Sequence, residues 1–190
     1  MRNLWLALGL VAACSTPAFA QNGIRVLAAN KTSTLQKEMN EAAGAGYRLA
    51  AVMGGETSFG GAEGVVIMTR SSHEPSASAA YEYKLLATNK TSTLQKELQD
   101  AGNAGFEYKG QTAFKSTFGG KEVAVVLERD RGATSVGRYE YRLLATNRTS
   151  TMQKELAEAA DAGYEFVGMT VADTLIGGAE IVCILRKSTN

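Results

Sequence analysis

The stretch Asn30-Lys31-Thr32-Ser33-Thr34-Leu35-Gln36-Lys37-Glu38 decides how this chain is built, because the chain contains it three times. It recurs unchanged over 89–97, and over 147–155 with only Arg148 and Met152 substituted, at spacings of 59 and 58 residues. Self-similarity at a fixed period marks a repeat architecture, in which one supersecondary unit is copied and the copies bury surface against each other. Extending the offsets without gaps aligns Gly46-Tyr47 with Gly105-Phe106 and Gly163-Tyr164, and Gly60-Gly61 with Gly119-Gly120 and Gly177-Gly178. Three units follow, at 24–70, 81–129 and 139–187. Residues 71–80 and 130–138 between them are polar and small, the composition of linkers.

The second unit carries the clearest local signals. Residues 83–88 are β-prone and end at Asn89. Ser92 suits a helix N-cap, with Gln95 three residues on to reach back in a capping box, which places a helix over 93–103. Leu94, Leu98 and Ala101 share one face at helical spacing, and Gly105 stands where a helix ends in the left-handed conformation that other residues avoid. A second strand is expected over 106–114. After the Gly119-Gly120 turn, 123–127 is an unbroken apolar run, the pattern of a strand covered on both faces. That strand must return antiparallel to the second and belongs in the middle, giving the order 1-3-2. The expected class is therefore α+β: three tandem β-α-β-β modules, each a helix on a three-stranded sheet. One helix covers one face only, so the other faces are expected to bury against each other or a partner, with a compact pseudo-threefold body fitting better than beads on a string.

Three short motifs also resemble those of a small, uncharacterised bacterial domain family. They are the opening Tyr81-Glu82-Tyr83-Lys84, the Gly105-Phe106-Glu107 after the helix, and the closing Leu127-Glu128-Arg129. The third unit matches through Tyr139-Glu140-Tyr141-Arg142 and Gly163-Tyr164-Glu165, while the first departs at Asn22-Gly23-Ile24-Arg25. The resemblance implies the same β-α-β-β fold over nearly all of the chain beyond its leader. It implies no activity, because that family has none established.

Residues 1–20 combine Arg2, an apolar run over 4–13 and the small pair Ala18 and Ala20, the three-part pattern of a secretory signal. Export to the periplasm or the exterior is expected. Cys14, behind Leu10-Val11-Ala12-Ala13, offers the alternative of a lipid-anchored chain. The run is too short to span a bilayer, and no later segment reaches the roughly 18 uninterrupted apolar residues that spanning needs. No integral membrane segment is therefore expected once the signal is removed. The full chain has 20 Lys plus Arg against 19 Asp plus Glu, and Arg2 leaves with the signal. A neutral remainder argues against a nucleic-acid partner. Cys183 then stands alone, without an internal disulfide partner, and its alignment with Ile67 and Val125 makes it a packing residue.

His73, the one histidine, falls in the first linker, so the modules lack the commonest agent of acid–base catalysis. No cofactor or metal is indicated, since Cys183 has no companion ligand. The double glycines precede strands rather than helices and read as turns rather than phosphate loops. Glu38, Glu97 and Glu155, and likewise Glu63, Glu122 and Glu180, read as surface charges.

The strand-to-helix junctions remain. Asn30, Lys31 and Thr32, then Asn89, Lys90 and Thr91, then Asn147, Arg148 and Thr149, set a cation and hydrogen-bonding groups beside a helix N-terminus. Free N–H groups there carry partial positive charge, so a carboxylate, sulfate or phosphate is the ligand these residues suit. The competing reading has Ser33, Ser92 and Ser150 simply capping helices and the asparagines closing strands. The expectation is a non-enzymatic, exported binding or interaction module whose three equivalent junctions gain avidity from linkage, for an anionic small molecule or a protein partner. The alternatives are a structural, envelope-associated protein without a small ligand, or an enzyme acting through repeated lysines and glutamates such as Lys96 with Glu97 or Glu122.

Overall fold

The structure, a computed structural model, describes residues 23–57, 61–70, 81–116, 120–133, 137–174 and 178–189. The signal-like residues 1–20, the 71–80 linker with His73, and Gly60, Gly119 and Gly177 lie outside them.

The first module runs β1 (Ile24–Ala29), α1 (Thr32–Gly44), β2 (Arg48–Thr57) and β3 (Gly61–Thr69). The second repeats it as β4 (Tyr81–Thr88), α2 (Thr91–Asn103), β5 (Glu107–Ser116) and β6 (Gly120–Asp130). The third does so as β7 (Arg138–Thr146), α3 (Thr149–Asp161), β8 (Glu165–Thr174) and β9 (Gly178–Thr189). Among the described residues the result is an α+β arrangement of three helices and three antiparallel sheets, with strand orders β1-β3-β2, β4-β6-β5 and β7-β9-β8. The expected 1-3-2 order holds because the apolar closing strand needs cover on both sides, and only the central position supplies neighbours at both edges.

Each helix ends as its glycine dictates. Gly105 has φ +81°, and the Phe106 amide returns to the Ala101 carbonyl at 3.0 Å, closing a Schellman turn. Gly46 and Gly163 have the same conformation, with φ +83° and +85°. The helix starts differ from expectation. Lys31, Lys90 and Arg148 occupy the N-cap positions in extended conformation with no side-chain cap, so Ser92 lies inside the first turn and closes no capping box. The residue meant to complete that box, Gln95, is engaged elsewhere: it bonds to β7 of the next module.

That engagement sets how the modules pack. Take the back of each sheet as the face toward its own helix, and the front as the opposite face. In the second module Val123, Val125 and Leu127 line the back and pack on Leu94, Leu98 and Ala101 of α2. The same core takes in Tyr141, Ala172, Val182 and Ile184 from the front of the third module. Equivalently, Val66 and Met68 pack with Leu35, Met39 and Ala42 of α1 and receive Tyr83 and Val126 from the front of the second module. Modules 1 and 2 thus each seat the front of the following module on their own back.

The expected pseudo-threefold closure is not what results. Among the described residues α1 packs on β4 and α2 on β7, but α3 takes no corresponding strand. The two ends of the series stay open instead. Ile24, Val26 and Met53 on the front of module 1 are 61–65 % exposed, and Phe166, Met169 and Val171 on the back of module 3 are 54–60 % exposed.

Candidate functional site

The junction residues are at the surface, one set at each helix start. Asn30, Lys31, Lys90, Asn147, Arg148 and Thr149 are exposed, while Thr32, Asn89 and Thr91 are half-buried. The first turns of all three helices lack acidic residues as well as side-chain caps, so their N-terminal partial charge is not offset from within the helix. Two strand-end threonines support the approach: Thr88 accepts from the Lys90 amide at 3.1 Å and Thr146 from the Arg148 amide at 3.2 Å.

The most developed polar chemistry lies one turn further along α1 and α2. In α1, Asn40 accepts from the Tyr83 amide at 2.8 Å and donates to the Tyr83 carbonyl at 2.9 Å, while Gln36 accepts from the Leu85 amide at 2.8 Å. In α2, Gln99 accepts from the Tyr141 amide at 3.1 Å, and Gln95 accepts from the Leu143 amide at 2.7 Å and donates to the Tyr141 carbonyl at 2.8 Å. The geometry has a simple cause. Four residues along a helix advance about 6.0 Å, and two along a strand about 6.6 Å. Carboxamides at i and i+4 therefore match successive outward N–H groups of a strand edge. β4 and β7 are edge strands, whose unpaired backbone groups need such partners.

A tyrosine from the gripped strand completes each clasp. The register of β2 shifts between Leu49 and Ala51, and that of β5 between Tyr108 and Gly110. Such irregularities leave a backbone amide unpaired. The Tyr83 hydroxyl accepts from the Leu49 amide at 2.9 Å and donates to the Glu128 carboxylate at 2.6 Å. The Tyr141 hydroxyl accepts from the Tyr108 amide at 2.6 Å and donates to the Phe106 carbonyl at 2.9 Å. Burial, then the Glu128 bond, pushes the Tyr83 phenol well above its ordinary range, so it serves only as a neutral hydrogen-bonding group.

One ion network ties the three modules together. Glu107 and Glu128 are direct cross-strand partners on the middle sheet, a repulsive pair in isolation. Lys109 lies between them, at 2.8 Å from Glu107 and 3.6 Å from Glu128. Arg48 of module 1 contacts both Glu128 oxygens, the nearest at 2.7 Å, and Arg186 of module 3 reaches Glu107 at 2.5 Å. Burial would raise the Glu107 carboxyl, but the bonds from Lys109 and Arg186 outweigh it and hold the group below the usual carboxylate range. Arg48, Glu107 and Glu128 of this network line a cleft of about 200 Å³. They are spent on one another and hold the modules together.

On the third module the same gripping surface holds no strand among the described residues. Gln153, the counterpart of Gln36 and Gln95, is exposed, and Ala157 stands where Asn40 and Gln99 do. Beside them a groove of about 350 Å³ is lined by Met152, Leu156, Phe166, Met169, Ile181 and Cys183, with Thr149 and Gln153 at its rim. Cys183 is buried there, as its alignment predicts, and burial pushes its thiol up.

No family model, characterised protein or solved structure matches the chain. Its function is therefore read from geometry. Among the described residues no three His, Cys, Asp or Glu side chains gather as a metal ion requires, and no helix is long and apolar enough to cross a membrane. Lys96 is exposed, and among the described residues no ion pair joins it to Glu97 or Glu122. Sequence reasoning missed the gripping residues, although Gln36, Gln95 and Gln153 lie within the repeated stretch itself. A glutamine held in all three copies was the available signal.

Proposed function

We propose that the protein is a non-enzymatic, exported interaction module that binds the free β-strand edge of a protein partner on the back of its third module. The observation that carries this reading is that the same surface of modules 1 and 2 already holds a strand, through Gln36 with Asn40 and Gln95 with Gln99, while that of module 3 is open. Exposed Phe166, Met169 and Val171 form an apolar platform of the kind that marks interaction sites. The chain supplies adhesion through backbone edge recognition, with the groove selecting the side chains. The leader-like residues 1–20 support an extracytoplasmic setting.

A peptide with the β4 sequence, Tyr-Glu-Tyr-Lys-Leu-Leu-Ala-Thr, is the direct probe. Titrated into isotope-labelled exported protein, it is expected to move the Gln153 side-chain amide and the amides of α3 and β8. Met169→Glu should weaken that binding at least tenfold, about 1.4 kcal/mol. Unmoved signals, or equal affinity in the variant, would remove the reading. A second reading rests on the uncapped helix starts beside Lys31, Lys90 and Arg148: these junctions bind an anionic small molecule. An arm with sulfate, phosphate and sulfated sugars tests it. Shifts at Thr91 and its counterparts Thr32 and Thr149, lost in the triple alanine variant of the three cations, would support it. Silence in both arms leaves a purely structural role.

A further inference from the structure

We infer that the strand-bearing partner of the third module is the first module of a second copy of this chain, so that molecules associate head to tail. The inference rests on the reading of that surface as a strand-gripping face, and identifies what it grips.

The template is the interface the chain makes twice within itself, with a front seated on a back. The surface left over at one end is a front, and at the other a back. On the front, Ile24 and Val26 occupy the positions of Tyr83 and Leu85, and Ile67 that of Val126. Val126 is fully buried, whereas Ile67 is 37 %, Ile24 61 % and Val26 65 % exposed. On the back, Phe166 and Met169 occupy the positions of Tyr108 and Gln111. Those two meet the third module, Tyr108 lying against Gly168 and Gln111 donating to the Val182 carbonyl at 3.1 Å. Among the described residues no helix side chain reaches the outer amides of Ile24 and Val26, the counterparts of the amides that Asn40 and Gln36 hold on β4.

The ends also carry a compensating change. At the second internal interface a Cβ on Gly168 would lie 1.9 Å from the Tyr108 hydroxyl, so that ring would have to move to admit it. At the ends the corresponding residues are Ala51 and Phe166: the front gains a methyl and the back loses the hydroxyl that excluded it. Other end residues are less polar than their internal counterparts. Ala157 replaces the second carboxamide, Ile24 the tyrosine, and Thr69 the charge that Glu128 and Arg186 bring. An end-to-end contact therefore keeps Gln153 and the apolar faces but lacks the tyrosine and ion-pair bonds. It is weaker than the internal interfaces and exchanges with monomer. Because front and back are different surfaces, the contact is heterologous and propagates as an open chain or a ring rather than a twofold dimer.

Sedimentation velocity on the purified exported protein reads this directly. The wild type should show mass that grows with concentration past the dimer. Val26→Glu blocks the front and Met169→Glu the back, so each variant alone should remain monomeric. A mixture of the two should form a one-to-one dimer and stop there, since each contributes its intact end; that rescue also proves that both variants fold. A wild type that stays monomeric throughout, or assembly that survives in either single variant, overturns the inference. If the wild type is monomeric while the β4 peptide still binds at Met169, head-to-tail association falls and the strand-gripping reading stands.

Discussion

Gly102→Ala is expected to destabilise the protein by about 3 kcal/mol, even though alanine is the better helix former by about 1 kcal/mol. The added Cβ would lie 2.2 Å from the Tyr139 carbonyl oxygen and 2.9 Å from Cδ2 of the Tyr141 ring. A backbone oxygen in a strand cannot turn aside, so β7 must leave α2, and the bonds of Gln95 and Gln99 go with it. For a chain of this size the melting temperature should fall by roughly 6–12 °C. Gly44→Ala is the control: its Cβ meets nothing within 4 Å, so it should leave the melting temperature unchanged or slightly raised. A neutral Gly102→Ala would mean that α2 does not lie against β7. The counterpart on α1 is Ala43, which already carries the methyl; the closer approach is particular to the second interface.

The second large effect is expected at Glu128, only 4 % exposed and bonded to Tyr83, Arg48 and Lys109. Glu128→Ala leaves the Tyr83 O–H without its acceptor in the core, although its oxygen keeps the Leu49 amide, and frees Arg48, which is half exposed and can rehydrate. The loss should be about 3 kcal/mol in urea unfolding, made up of a charged hydrogen bond and a buried phenol donor left without an acceptor. Glu128→Arg should be worse, because it sets a third cation beside Arg48 and Lys109. The double exchange Arg48→Glu with Glu128→Arg should recover part of that loss, since the second interface already uses this polarity: Glu107 stands at the position of Arg48, and Arg186 at that of Glu128. Two single variants whose effects simply add, with no coupling, would show that the pair is not a unit.

The contrast between these two positions shows how far the sequence carries. Leu94, Leu98 and Ala101 declare a buried helix face by spacing alone, Gly105 declares its end, and the apolar run ending at Leu127 declares a central strand; each reflects chemistry internal to one module. Gln95 and Glu128 do not declare themselves. Hydrophobic periodicity reports that a face is covered, not by what, and a carboxamide that grips a neighbouring strand reads like one that faces water or caps its own helix. For the same reason closure into a threefold body and serial stacking were indistinguishable beforehand. The deciding residues are Ile24, Val26, Phe166 and Met169, apolar positions that are covered in one copy of the module and open in another.

Amide hydrogen exchange on the exported protein tests the central claim, that α1 and α2 each hold the strand edge of the module that follows. At low concentration the outer-edge amides of Tyr83, Leu85, Tyr141 and Leu143 should be strongly protected, while those of Ile24 and Val26, at the same positions of the uncovered strand, should exchange close to their intrinsic rates. If all six exchange alike, fast or slow, the side-chain clasps do not exist as described and the interaction surface assigned to the third module loses its template.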